Sequence, residues 1–84
     1  MSQMVDILFV QPIAGTPQSL TMRPRWPHVP RVGDHVQVAE GWGGHRVSTV
    51  EWGLGGRTAV VRLEPEDLEE HEADRLVELG WRRR

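Results

Sequence analysis

The chain has 84 residues, 38% of them hydrophobic and 26% charged, with no cysteine; this sets it among small single-domain globular proteins and excludes disulfides, thiolate metal sites and cysteine nucleophiles. Its net charge of −2 combines a body at +2 over residues 1–62 with an acidic segment at −4 over residues 63–84. The longest apolar run, residues 7–10, is far below the roughly 20 residues of a membrane span and follows no basic leader, so a soluble, cytoplasmic protein with no membrane partner is expected.

Residues 5–10, Val-Asp-Ile-Leu-Phe-Val, are β-branched and aromatic and are stopped by Pro12 and Gly15, which predicts a mostly buried strand. A seven-residue connection over 11–17 leads to Leu20 and Met22, which alternate with Ser19, Thr21 and Arg23, so the two segments are expected to form a wide hairpin. Pro24, Pro27 and Pro30 then forbid both a helix interior and a central strand, leaving an extended loop up to Arg31. The turn Val32-Gly33-Asp34 opens a third strand carrying Val36 and Val38.

Gly41-Trp42-Gly43-Gly44 reads as a hairpin loop, followed by a β-rich run from His45 to Trp52. Val47 and Val50 lie on opposite parities, which predicts either two buried faces or a β-bulge near Ser48 and Thr49. A second glycine-rich turn, residues 53–56, leads into residues 57–63, where Ala59, Val61 and Leu63 share one face. Strands three to five are thus expected to form a meander. Two glycine-rich turns also account for the recurrence of Trp-Gly at 42–43 and 52–53 without an internal repeat.

Beyond Leu63 the period changes to that of a helix, with Pro65 suited to its first position and acids in its first turn. Leu68, Ala73, Leu76, Val77 and Leu79 make one apolar side, Gly80 is a left-handed stop, and Trp81 is placed to pack back on Leu76. Arg82 to Arg84 read as a frayed end that complements the helix dipole. The expectation is one domain over 1–84, with a β-barrel over 5–63 and a helix over 65–80. All ten basic residues are arginine, with Lys, Asn and Tyr absent; codon bias in a GC-rich genome explains this most simply and weakens any argument from arginine preference.

The stretch Arg31-Val32-Gly33-Asp34-His35-Val36-Gln37-Val38, followed by Val47, Val50, Trp52 and the strand from Ala59 to Leu63, resembles the Src-homology-3-like small β-barrels over about 35 residues. The resemblance implies an α+β, mainly β fold: an antiparallel five-stranded barrel completed by one C-terminal amphipathic helix. It also implies a domain that binds rather than catalyses. The absence of Tyr departs from the peptide-binding members, so their proline-peptide groove is not carried over.

Three functions compete. In the first, a non-enzymatic protein-interaction module, Arg25, Trp26, Trp42, Arg46 and Trp52 form the contact surface, with Trp42 as an exposed anchor at a loop tip. The second is a weak nucleic-acid-binding domain using Arg23, Arg25, Arg31, Arg46 and Arg57 with Trp26; the bland alternative for that loop is that Trp26 pins it to the barrel. In the third, a structural subunit of a phage-like or other oligomeric assembly self-associates through edge strands or the helix, although covering its own barrel is the simpler role for that helix. His28, His35, His45 and His71 match no zinc spacing, and Ser48, His45 and Glu51, or Asp34 with His35, come with no nucleophile turn. No catalytic residue, cofactor, metal or small-molecule substrate is therefore expected.

Overall fold

The computed structural model describes residues 5–84; of the span read as one domain, residues 1–4 lie outside the described residues. The first hairpin forms as its pattern dictates. Strand β1 (Asp6–Pro12) pairs antiparallel with β2 (Ser19–Met22), with Phe9 opposite Met22 and Gln11 opposite Leu20. A proline-bearing strap over residues 23–34 then carries the chain from the end of the sheet where β1 began, here called the lower end, to Val47 near the other end, where Gly33 N–H donates to Val47 O and Val47 N–H donates to Asp34 O.

From there β3 (His35–Gln37), β4 (Gly44–Trp52) and β5 (Thr58–Leu63) run as an antiparallel meander. The conflicting parities of Val47 and Val50 are resolved by a register shift between Val47 and Thr49, after which both valines face inward, opposite Leu63 and Val61. Ser48 Oγ donates to the Arg62 carbonyl at this shift (3.1 Å).

Strand β5 lies beside β1, and that pair is parallel, with Ile7 opposite Ala59 and Phe9 opposite Val61. The sheet is therefore mixed, which corrects the antiparallel barrel expected from sequence. The reason is one of counting. Strand direction alternates along the chain from β1 to β5, so a first strand beside a fifth is parallel to it.

A sixth strand, β6 (Arg82–Arg83), pairs antiparallel with β2 and corrects both the count of five and the reading of residues 82–84 as a frayed end. Arg84 and Ser19 exchange backbone hydrogen bonds of 2.8 and 3.1 Å. The order β3-β4-β5-β1-β2-β6 is a curled, open half-barrel.

The helix is shorter than its periodicity suggests. α1 spans Glu70–Glu78, not residues 65–80, and Pro65 is not its first residue. Residues 64–69 stay outside it because the sheet claims their backbone: Glu66 N–H donates to Pro12 O (3.2 Å), Ala14 N–H donates to Glu66 O (2.8 Å), and Gln11 Nε2 donates to Glu64 O (2.9 Å). These tertiary bonds outweigh the local preference for an early start. The helix then opens on Glu69, whose N–H is held by Glu72 Oε1 at 3.0 Å.

Its C-terminus follows the pattern: Trp81 N–H reaches Leu76 O (3.0 Å), Gly80 N–H reaches Val77 O (3.1 Å), and Gly80 takes φ +110°. Ala73, Leu76 and Trp81 bury against the concave side with Ile7, Phe9, Leu20, Val36, Val47, Val61 and Leu63. Among the described residues, no helix is long and apolar enough to cross a membrane.

Candidate functional site

Strand direction sorts the candidate residues by end and pleating sorts them by face. The lower end gathers the start of β1, the first part of the strap over residues 23–26, and the β4–β5 turn over residues 53–57. Trp52 is the last residue of β4; its register opposite Ala59, itself opposite Ile7, puts it on the concave side, where it is 53% exposed.

Trp26 reaches the same side from the strap. Its ring meets Phe9 edge-on, with centroids 5.0 Å apart and planes at 80°, yet it remains 38% exposed. The contact pins the loop, as quadrupoles favour, and leaves part of the indole free. Val29 and Pro30 complete the attachment. Beside Trp26 lies a depression of about 320 Å³ lined by Val5, Asp6, Arg23, Pro24 and Arg25. Leu54, in the β4–β5 turn, is fully exposed at this end. The sequence reading missed Leu54, although a large apolar residue between Gly53 and Gly55 was a usable signal.

Arg25, Trp26 and Trp52 thus share the lower end, while Trp42 and Arg46 do not. Trp42 belongs to the β3–β4 hairpin at the opposite end, half-buried against the core, which corrects its reading as an exposed loop-tip anchor. The cause is the tight return of that hairpin: Trp42 N–H donates to Ala39 O (3.2 Å) and Gln37 Nε2 donates to Trp42 O (2.9 Å), folding the indole inward. Arg46 lies on the convex face, 3.8 Å from Glu64.

Charge follows the same division. Arg23 is paired with Asp6 and Arg62 with Glu51 (3.6 Å), whereas Arg25, Arg31 and Arg57 have no carboxylate partner among the described residues. Arg25, beside Val5 and Asp6, and Arg57, whose carbonyl accepts from the Asp6 N–H, stand at the lower end, whereas Arg31 lies in the turn joined to Val47 at the other end.

The groups weighed for chemistry separate. His45 faces inward and is buried, its Nδ1 2.7 Å from Gln11 Oε1, while Ser48 is exposed on the convex side. Asp34 accepts from the Arg31 N–H (2.8 Å) and shapes the turn beside the exposed His35. His71 sits 3.2 Å from Glu69 on the helix. Among the described residues no three His, Asp or Glu side chains gather in a metal-binding group. No protein-family model, curated protein or solved structure matches this chain.

Proposed function

We propose that this half-barrel is a Src-homology-3-like, non-enzymatic binding module that docks a protein partner at its lower end. The observation that carries the reading is the pair of half-exposed indoles, Trp26 and Trp52, presented by one concave side at one end of the sheet. Rigid aromatics of this kind dominate interface energetics, because they bury large area at small entropic cost. Arg25 and Arg57 at the same end favour a partner with acidic residues at the rim of the contact. The kinship to Src-homology-3-like barrels is supported by the β3–β4–β5 meander and its opening turn, where Gly33 takes φ +93°.

The same two arginines favour a second reading, a weak single-strand nucleic-acid site in which the indoles stack on bases. Salt separates the two, since phosphate contacts release counterions and weaken steeply as salt rises. The test captures partners from lysate on wild-type protein and on Trp52→Ala, then reconstitutes the best candidate from purified components. Direct binding lost with Trp52→Ala and retained at moderate salt supports the protein-partner reading. Oligonucleotide binding that shifts the Trp26 and Trp52 indole signals and vanishes with salt would replace it with the second.

A further inference from the structure

A cavity opens at the edge where β6 stops short of the end of β2. Strand β6 pairs only with Leu20 and Thr21, because Trp81 turns into the core one residue earlier. The edge of β2 at Met22 and on to Arg23 is left without a strand neighbour, and Gly80 stands across the gap, where an added methyl group would lie 3.6 Å from Met22 Cε. The result is an open notch of about 560 Å³ that includes Leu8, Thr21, Met22, Arg23, Arg82 and Arg84 in its lining.

Four of the chain's ten arginines, those named and Arg83, line this one notch, and no Asp or Glu does. Their roles differ by strand parity. Arg83 points to the concave side and is held by Glu70 and Asp74 of the helix. Arg82 and Arg84 alternate to the other side and have no carboxylate partner among the described residues, while Arg23 is paired with Asp6. Arg82 and Arg84 therefore face one void without a compensating carboxylate, a repulsion that an entering anion relieves.

We propose that the notch binds a phosphate-bearing small molecule. Arg82 and Arg84 would take the phosphate oxygens through paired N–H donors, Arg23 would add a third guanidinium, and Leu8 with Met22 would receive the apolar part of the ligand. The planar fork of arginine matches phosphate geometry, and the volume falls in the range of small-molecule pockets. The notch shares Arg23 with the depression beside Trp26 and otherwise runs along the edge between β2 and β6.

The experiment titrates sodium pyrophosphate into the full-length labelled protein, with sodium chloride at equal ionic strength as the reference. A second titration uses a short oligothymidylate. The expected result is saturable shifts of the Thr21, Arg23, Arg82 and Arg84 amides with pyrophosphate. Binding should weaken about tenfold or more in Arg82→Gln/Arg84→Gln and separately in Arg23→Gln, while the rest of each spectrum stays in place. Shifts reproduced by chloride, or affinity unchanged in both variants, would overturn the proposal. A response to the oligonucleotide with none to pyrophosphate would overturn it too, assigning the notch to a nucleic-acid strand.

Discussion

Trp81 Nε1 donates to the Val38 carbonyl at 2.9 Å, across 43 residues of sequence. The bond joins the chain just before β6 to the chain just after β3, the two outermost strands of an open sheet. An indole 2% exposed is thus both core filler and cross-brace. Trp81→Phe keeps most of the apolar bulk but leaves the Val38 carbonyl without its donor, a loss of about 1–3 kcal/mol. Urea unfolding measures it. An unchanged midpoint would show that the brace contributes nothing. In the wild type, the Trp81 indole hydrogen should exchange with solvent far more slowly than that of Trp52.

Gln11 is a fully buried polar side chain whose every group is used. Its Nε2 donates to Pro12 O and Glu64 O, both at 2.9 Å, which turns Oε1 towards His45. Only a donor can answer that oxygen, so neutral His45 must carry its hydrogen on Nδ1. Nitrogen chemical shifts of the imidazole report this tautomer directly, and an Nε2-protonated ring would refute the assignment. Gln11→Leu strands the Glu64 carbonyl and one imidazole nitrogen, while Pro12 O keeps the Glu66 N–H, and is expected to cost about 2 kcal/mol or more.

Gly80 ends the helix at φ +110°, where a side chain is strained whatever space surrounds it. Gly80→Ala should therefore lower stability by about 1–2 kcal/mol through the backbone alone, since the new methyl would make only ordinary contact with Met22. Thermal unfolding decides. A neutral effect would mean that Trp81 enters the core by another turn.

The arginines of β6 should respond differently to removal of charge. Arg83 bridges Glu70 and Asp74, so Arg83→Gln should destabilise by about 0.5–1 kcal/mol, a difference that closes in molar salt. Arg82→Gln, with no carboxylate partner, should leave stability unchanged. Equal losses at both positions would contradict the inward and outward parity.

Elements written in local pattern were legible before the structure. The first hairpin, the meander, the irregularity at Ser48 and the Gly80–Trp81 cap each depend on residues close in sequence. What escaped was set by distant partners. Two arginines carry no periodicity, so β6 is invisible until β2 is beside it. Pro65 and the following acids form a good helix start, yet Pro12, Ile13 and Gln11 hold that segment extended. For the site, the strap tryptophan was legible as a pin, whereas the loop at Trp42 gave no sign that its ring folds inward. The arginine notch was hidden entirely, because its members come from two segments about 60 residues apart that only the sheet brings together.

The parallel pairing of β1 with β5 also governs the order of assembly. Among the described residues it is the only strand pairing between the first hairpin and the meander, and its partners, such as Asp6 and Thr58, stand 52 residues apart in sequence. Each half can close its own turns quickly, but the chain must lose a long loop's worth of freedom before the seam zips. Folding is therefore expected to be slow for so small a protein, with substitutions at Ile7 or Ala59 slowing it and changes in the outer turns mainly hastening unfolding. During synthesis the half-barrel cannot exist until β5 has emerged, so the N-terminal hairpin waits with one apolar edge uncovered.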